Sequence, residues 1–210
     1  MKVVGLIADI VGSREIASRA EFQRGLETVL NEINARAADR LLSPYTITIG
    51  DEFQALYAGF QALFGDVARI LWRVYPHRIR FAVNYDLITT ALNRTSAVGM
   101  DGPVFYGART QLDVLKQRST TAIRVGGVAL RSHEVINAAL DLLCDNVNRW
   151  SRTAVGVLAH SLDGLTVPQM EEPLEVKRRA IYKSIRDNNI DHHITLLRAV
   201  AAELEAGVGD

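Results

Sequence analysis

The spacing of apolar positions divides the chain into alternating strand-like and helix-like segments. Val3–Ile10 is almost continuously apolar and rich in β-branched residues, which predicts a buried strand, and Gly12-Ser13 breaks it. A helical stripe follows at Phe22, Leu26, Val29/Leu30, Ile33 and Ala37, with Ser18 and Glu21 spaced as a capping box. Two short β-rich runs, Tyr45–Ile49 and Glu52–Tyr57, flank Gly50-Asp51. Glycine at the first turn position suits a type II′ hairpin, which needs a positive φ there. A second helical stripe, Phe60, Leu63/Phe64, Val67, Ile70/Leu71 and Val74, stops at Pro76. Arg78–Asp86 then alternates, with Ile79, Phe81, Val83 and Tyr85 expected inward and Arg80, Ala82, Asn84 and Asp86 outward.

Strand, helix, hairpin, helix, strand is the order of an α+β sandwich, with the helices expected on one face of a single sheet. A loop over Thr89–Gly102 leads to a short helix at Tyr106–Gln117 and a strand near Ala122–Val125. From there the pattern changes. Ser132–Trp150 reads as a long helix, and Ser151–His160, Thr166–Glu172, Lys177–Asn188 and Asp191–Glu205 as further helices, with no strand signal. These patterns predict a mixed domain over 1–130, a connector helix over 131–150 and a helical domain over 151–210.

Composition narrows the function classes. At 210 residues and 48% hydrophobic, the chain is of globular type. Lys and Arg number 24, as do Asp and Glu, so nucleic-acid binding would need a local basic face rather than a global field. The single cysteine, Cys144, excludes a disulfide framework and is compatible with the cytoplasm. The first apolar run ends at Asp9, too short for a signal peptide or a membrane span, and no membrane association is expected.

Candidate chemistry gathers at the strand ends. Asp9 closes the first strand, and Asp51 and Glu52 lie at the hairpin tip. If these strands are neighbours, about 4.8 Å apart, Asp9 and Asp51 converge and a cation between them would relieve their repulsion. Mg²⁺, or Mn²⁺, suits one or two carboxylates completed by water and phosphate oxygens. Gly12 and Ser13 would offer backbone N–H groups to a phosphate. The same residues also fit plain structural roles, Asp51 in a turn and Asp9 as a strand terminator.

Ala8-Asp9-Ile10-Val11-Gly12 resembles the first metal motif of class III nucleotide cyclases. Ile47–Tyr57 resembles their hairpin motif and the GGDEF motif of diguanylate cyclases, and Gly107-Ala108-Arg109 resembles the cyclase helix that carries a phosphate-contacting arginine. The whole chain resembles the SatD family more closely, through Ile7–Arg14, Gly50–Gln54, Asp101–Pro103 with Ala108-Arg109, and helices after Trp150. The resemblance implies a ferredoxin-like, cyclase-type palm followed by an all-α, helix-turn-helix-like domain. It further implies a metal site at Asp9, Asp51 and Glu52, and nucleotide-phosphate contacts at Gly12, Ser13, Arg14, Arg109 and Lys116. It does not imply cyclisation: Ile47 stands where cyclases place a base-reading lysine, and Phe105 where they place a transition-state asparagine.

Thr166–Ile185 aligns with a helix-turn-helix, with Thr166 as the cap and Met170, Leu174, Val176 and Ile181 at its apolar positions. Arg178, Arg179, Tyr182, Lys183 and Arg186 would contact DNA. Three positions depart from the motif: Glu171 replaces its small residue, Glu175 its turn glycine and Lys177 its capping serine. The leading expectation is a cytoplasmic regulatory protein, able to form a homodimer, whose palm binds a nucleotide or divalent metal and reports to the helical domain. The alternatives are a nucleotide-transforming enzyme and a non-catalytic scaffold.

Overall fold

The computed structural model describes residues 1–118, 122–127 and 132–208. Strands β1 (Lys2–Ile10), β2 (Leu41–Ile49), β3 (Glu52–Tyr57), β4 (Ile79–Leu87) and β5 (Ile123–Gly126) form one sheet in the order β2-β3-β1-β4-β5. β1 is central and antiparallel to both β3 and β4, whereas β5 runs parallel to β4. With α1 (Arg19–Arg36) after β1 and α2 (Leu63–Arg73) after β3, the first four strands have the ferredoxin-like βαββαβ order. Gly50 takes the positive φ, 62°, that the hairpin requires.

Local details differ from the sequence reading. β2 begins at Leu41 and runs through Pro44, which an edge strand with shifted register tolerates because one side of its ladder is unpaired. Ser18 stands at the N-cap of α1 without a side-chain capping bond. α3 spans Pro103–Gln117, starting three residues before the expected Tyr106, with proline preset for the first helical turn.

The larger difference concerns the second face of the sheet. Val4, Leu6, Ala8 and Ile10 of β1, Phe53 and Tyr57 of β3, and Phe81 and Val83 of β4 belong to one apolar cluster with α1 and α2. Helix α3 covers the opposite face, where Val3, Leu56 and Val104 form a second cluster and Ile7, Ala82, Ala108 and Leu112 a third. Ala82 and Asn84, expected to point outward, are 0% and 3% exposed. Two-sided cover is what the unbroken apolar run of β1 requires, since a strand with one wet face would alternate.

Helices α4 (His133–Val147), α5 (Arg152–Leu162), α6 (Val167–Leu174), α7 (Arg178–Asp187) and α8 (Ile190–Ala206) complete the molecule. The expected domain boundary near residue 130 lies outside the described residues. Asn137 of α4 pairs with both the N–H and the C=O of Val125 at 2.8 Å, satisfying polar backbone on edge strand β5. The main apolar cluster is continuous from Val4 to Leu204. α8 returns to the sheet: Glu205 accepts from the Phe60 N–H at 2.7 Å, and the Tyr85 hydroxyl donates to the Val208 carbonyl at 2.8 Å. Among the described residues, no helix is long and apolar enough to cross a membrane.

Candidate functional site

Strand register sets the centre of the site. Asp9 is the cross-strand partner of Glu52 on one side and of Arg80 on the other. Residues directly opposite one another share a face of the sheet, so these three side chains form a row across β3, β1 and β4 beneath α3. Arg109 and Lys116, seven residues apart on α3, face that row, while Leu112 and Leu115 anchor the helix with burial of 0% and 1% exposure.

The charges interlock. Arg80 Nη1 lies 3.0 Å from Asp9 Oδ2, and Arg109 Nη1 lies 2.6 Å from Glu52 Oε2. Lys116 Nζ bridges the two acids, 3.2 Å from Asp9 Oδ1 and 3.1 Å from Glu52 Oε1. Burial alone would lower the Lys116 pKa, but its bonds to Glu52 and Asp9 outweigh that effect and the net shift is upward, so the ammonium stays charged. Asp9 is only 6% exposed, whereas the Arg109 and Lys116 side chains are 44% and 38% exposed. The cluster thus has a fixed acidic floor and a basic roof that can reach solvent.

Asp51 is placed differently from the sequence reading. It was expected to converge on Asp9; the partner of Asp9 is instead Glu52, and the Asp51 carboxylate accepts the hydroxyl of Ser13. The backbones of the two loops do meet, with the Ile10 N–H donating to the Asp51 carbonyl at 3.3 Å. The period of two in a strand explains the split: Asp51 belongs to the turn, and Glu52 is the first residue that shares a face with Asp9. Gly12, at φ 66°, opens a single 3₁₀ turn over Ser13–Glu15, closed by a 2.9 Å bond from Glu15 N to Gly12 O. Ser13 is buried there, and Arg14 is exposed.

A divalent ion shared by Asp9, Asp51 and Glu52 would have to displace the partners these carboxylates have here. All four oxygens of Asp9 and Glu52 face a basic side chain, and Asp51 is engaged by Ser13. Among the described residues no group of three or more His, Cys, Asp or Glu side chains could hold a metal.

Arg80 was missed in the sequence because alternation alone put it outside. Its signal was the antiparallel pairing of β1 with β4, which sets it opposite Asp9. Ile47 packs against the main core and Phe105 against the cluster under the start of α3. Far from this site, Arg179, Tyr182, Lys183 and Arg186 of α7 are exposed. Arg178 is held by Glu171 of α6, and Arg186 pairs with Asp187 at 3.0 Å. Thr166 and Gln169 form a capping box at the start of α6, and Glu175 ends the helix in the left-handed region at φ 55°.

Several solved cyclases overlap part of the chain. A light-regulated bacterial adenylyl cyclase is 13% identical over 59% of this chain and 75% of its own, at a TM-score of 0.44. The guanylate cyclase domain of RhGC from Catenaria anguillulae, solved in complex with GTP, is 16% identical over 59% of this chain and 77% of that one, at a TM-score of 0.42. The monomeric guanylyl cyclase domain of the RhoGC fusion protein from Blastocladiella emersonii is 15% identical over 59% and 80%, at a TM-score of 0.38. No curated protein matches the sequence. The sequence model of the SatD family matches residues 3–191, from β1 into the first turn of α8, and the chain belongs to the SatD family.

Proposed function

We propose that the protein is a cytoplasmic regulator whose site beneath α3 binds a phosphorylated ligand of the nucleotide class and whose C-terminal helices carry the response. The observation behind this reading is the convergence of Arg80, Arg109 and Lys116 on Asp9 and Glu52, beside the turn at Gly12 and Ser13. Arg109 and Lys116 are the cations of the cluster that reach solvent, where an incoming anion would meet them. Arg109 and Lys116 are exposed enough to exchange a carboxylate partner for a phosphate oxygen, and Arg109 has the planar fork that pairs with phosphate.

The route to the helical half is physical contact. α5 lies between α2 and α6, close enough that a Cβ on Gly156 would stand 2.4 Å from Leu174 and 2.7 Å from Trp72. The exposed basic face of α7 is the proposed nucleic-acid contact. Cyclisation is not part of the proposal, because apolar Ile47 and Phe105 pack into core clusters and supply no polar group.

The test is calorimetric titration of the full chain with ATP, GTP and their diphosphates and monophosphates, with Mg²⁺ and again with EDTA. At least one should bind, and Arg109→Gln should weaken that binding about tenfold or more, the scale of a charge-assisted hydrogen bond. Absence of binding by every nucleotide would reject the reading.

A further inference from the structure

The bridging position of Lys116 has a consequence for the metal requirement of this site. Two carboxylates opposite one another on a β-ladder repel, and such a pair normally recruits a cation. Here the cation is part of the chain. Lys116 Nζ is 3.2 Å from Asp9 and 3.1 Å from Glu52, and it sits on a helix fixed to the sheet by buried Leu112 and Leu115. We propose that Lys116 is a tethered cation holding the place between Asp9 and Glu52 that a divalent metal would otherwise take, so that the site accepts a phosphorylated ligand without a metal. The inference concerns the site put forward above as the nucleotide site, but its cation chemistry can be read without any nucleotide.

Three features favour the tethered ammonium over a free divalent ion. Arg80 and Arg109 already take the other oxygens of the two carboxylates, at 3.0 and 2.6 Å. A divalent ion entering between Asp9 and Glu52 would stand against the three cations already there, in a half-buried place. A magnesium ion must also shed tightly held water to enter, whereas an intramolecular ammonium competes at a high effective concentration.

The experiment is Mn²⁺ binding, read by electron paramagnetic resonance and by the shift in melting temperature, on the native chain and on Lys116→Gln. The native protein should show little Mn²⁺ binding. Lys116→Gln, which frees one oxygen on each carboxylate, should bind Mn²⁺ at least tenfold more tightly, and Asp9→Asn on that background should abolish the gain. Lys116→Arg, which keeps the charge, should behave like the native chain. Native protein that itself binds Mn²⁺ tightly, and loses it in Asp9→Asn, overturns the proposal whether or not the glutamine variant folds. Nucleotide titrations separate this proposal from the functional reading. A gain of Mn²⁺ binding without any nucleotide binding keeps Lys116 as the cation and rejects the ligand class. Nucleotide binding to the native chain that vanishes in EDTA does the reverse.

Discussion

Asp9 and Glu52 stand opposite each other on β1 and β3, and one ammonium, that of Lys116, lies within 3.2 Å of both carboxylates. Like charges in that relation destabilise a ladder unless cations neutralise them. The basic residues around them are therefore part of the fold as well as of the ligand reading, and the two roles are separable by mutation.

Asp9→Asn keeps the shape of the side chain and removes its charge. It leaves Arg80 and Lys116 facing a neutral amide at a position 6% exposed. Breaking a buried pair from one side costs about 3–5 kcal/mol, and the partial exposure of Lys116 brings the expected loss to about 2–3 kcal/mol. Asp51→Asn keeps a side-chain oxygen that can accept the Ser13 hydroxyl and removes only the charge at a half-buried turn, and should cost no more than about 1 kcal/mol. Urea unfolding of the two variants tests the ordering, and equal losses would mean that Asp51 carries more of the cluster than its contacts indicate.

Gly107→Ala reverses the usual sign of helix propensity. Alanine in a helix interior is worth about 1 kcal/mol over glycine. At this position an added Cβ would come 2.2 Å from the Asn84 side-chain amide on β4. Asn84 is 3% exposed and has little room, so α3 must lift from the sheet. A net loss of about 1–3 kcal/mol is expected, the usual cost of overpacking. That corresponds to a fall of roughly 2–4 °C in melting temperature per kcal/mol for a chain of this size. Because Arg109 and Lys116 ride on α3, nucleotide affinity should fall with it. A more stable variant would show that the helix had room.

These two predictions mark what the sequence disclosed. Asp9, Glu52, Arg109 and Lys116 were legible as residues, the order of strands and helices followed from the alternation of their patterns, and the ferredoxin-like sheet was what the family resemblance implied. What they touch was not legible. Whether Asp51 or Glu52 meets Asp9 depends on a register of one residue, which the turn sets and composition does not encode. Arg80 looked like an outward charge because the strand alternates cleanly; only the second helical layer turns that face inward. The continuous apolar run of β1 already contained the signal for that layer.

His160 makes stability depend on pH. Its ring is 4% exposed, packs edge-on to Trp72 at 4.7 Å between centroids, and has no hydrogen-bond partner on either nitrogen among the described residues. Burial, and then the nearby Arg69 and Arg36, push its pKa from 6.5 down to about 4. Above 6.5 the imidazole is neutral in both folded and unfolded chains, and its contribution is fully present. As pH falls from 6.5 towards 4, only the unfolded chain gains the proton, so stability is lost across that window and levels off below it. His160→Phe keeps a flat ring and removes the titrating group. The variant should lose less stability than the native protein between pH 7 and pH 5, measured by chemical unfolding at each pH. Parallel pH profiles would assign the acid sensitivity to other groups.

The basic helix α7 is testable through salt. Its charges are not equivalent: Arg178 is held by Glu171 and Arg186 pairs with Asp187, whereas Arg179 and Lys183 have no ion pair among the described residues. Each phosphate neutralised on duplex DNA releases condensed counterions and contributes about −0.9 to the log–log salt slope. Arg179 and Lys183 together should contribute about −1.8, and Arg186, if it exchanges Asp187 for a phosphate, should bring the total to about −2.7. Arg179→Ala with Lys183→Ala should therefore weaken binding to any duplex at low salt and flatten the slope by about 1.8. The fold should be kept, because both residues are exposed on a helix and alanine is a strong helix former. Arg178→Ala should change the slope little, since that charge is already spent on Glu171, and it should instead loosen the contact between α6 and α7. Fluorescence anisotropy across a salt series reads both effects. An unchanged slope in the double variant, or a large change in Arg178→Ala, would place the nucleic-acid contact on a different face of the protein.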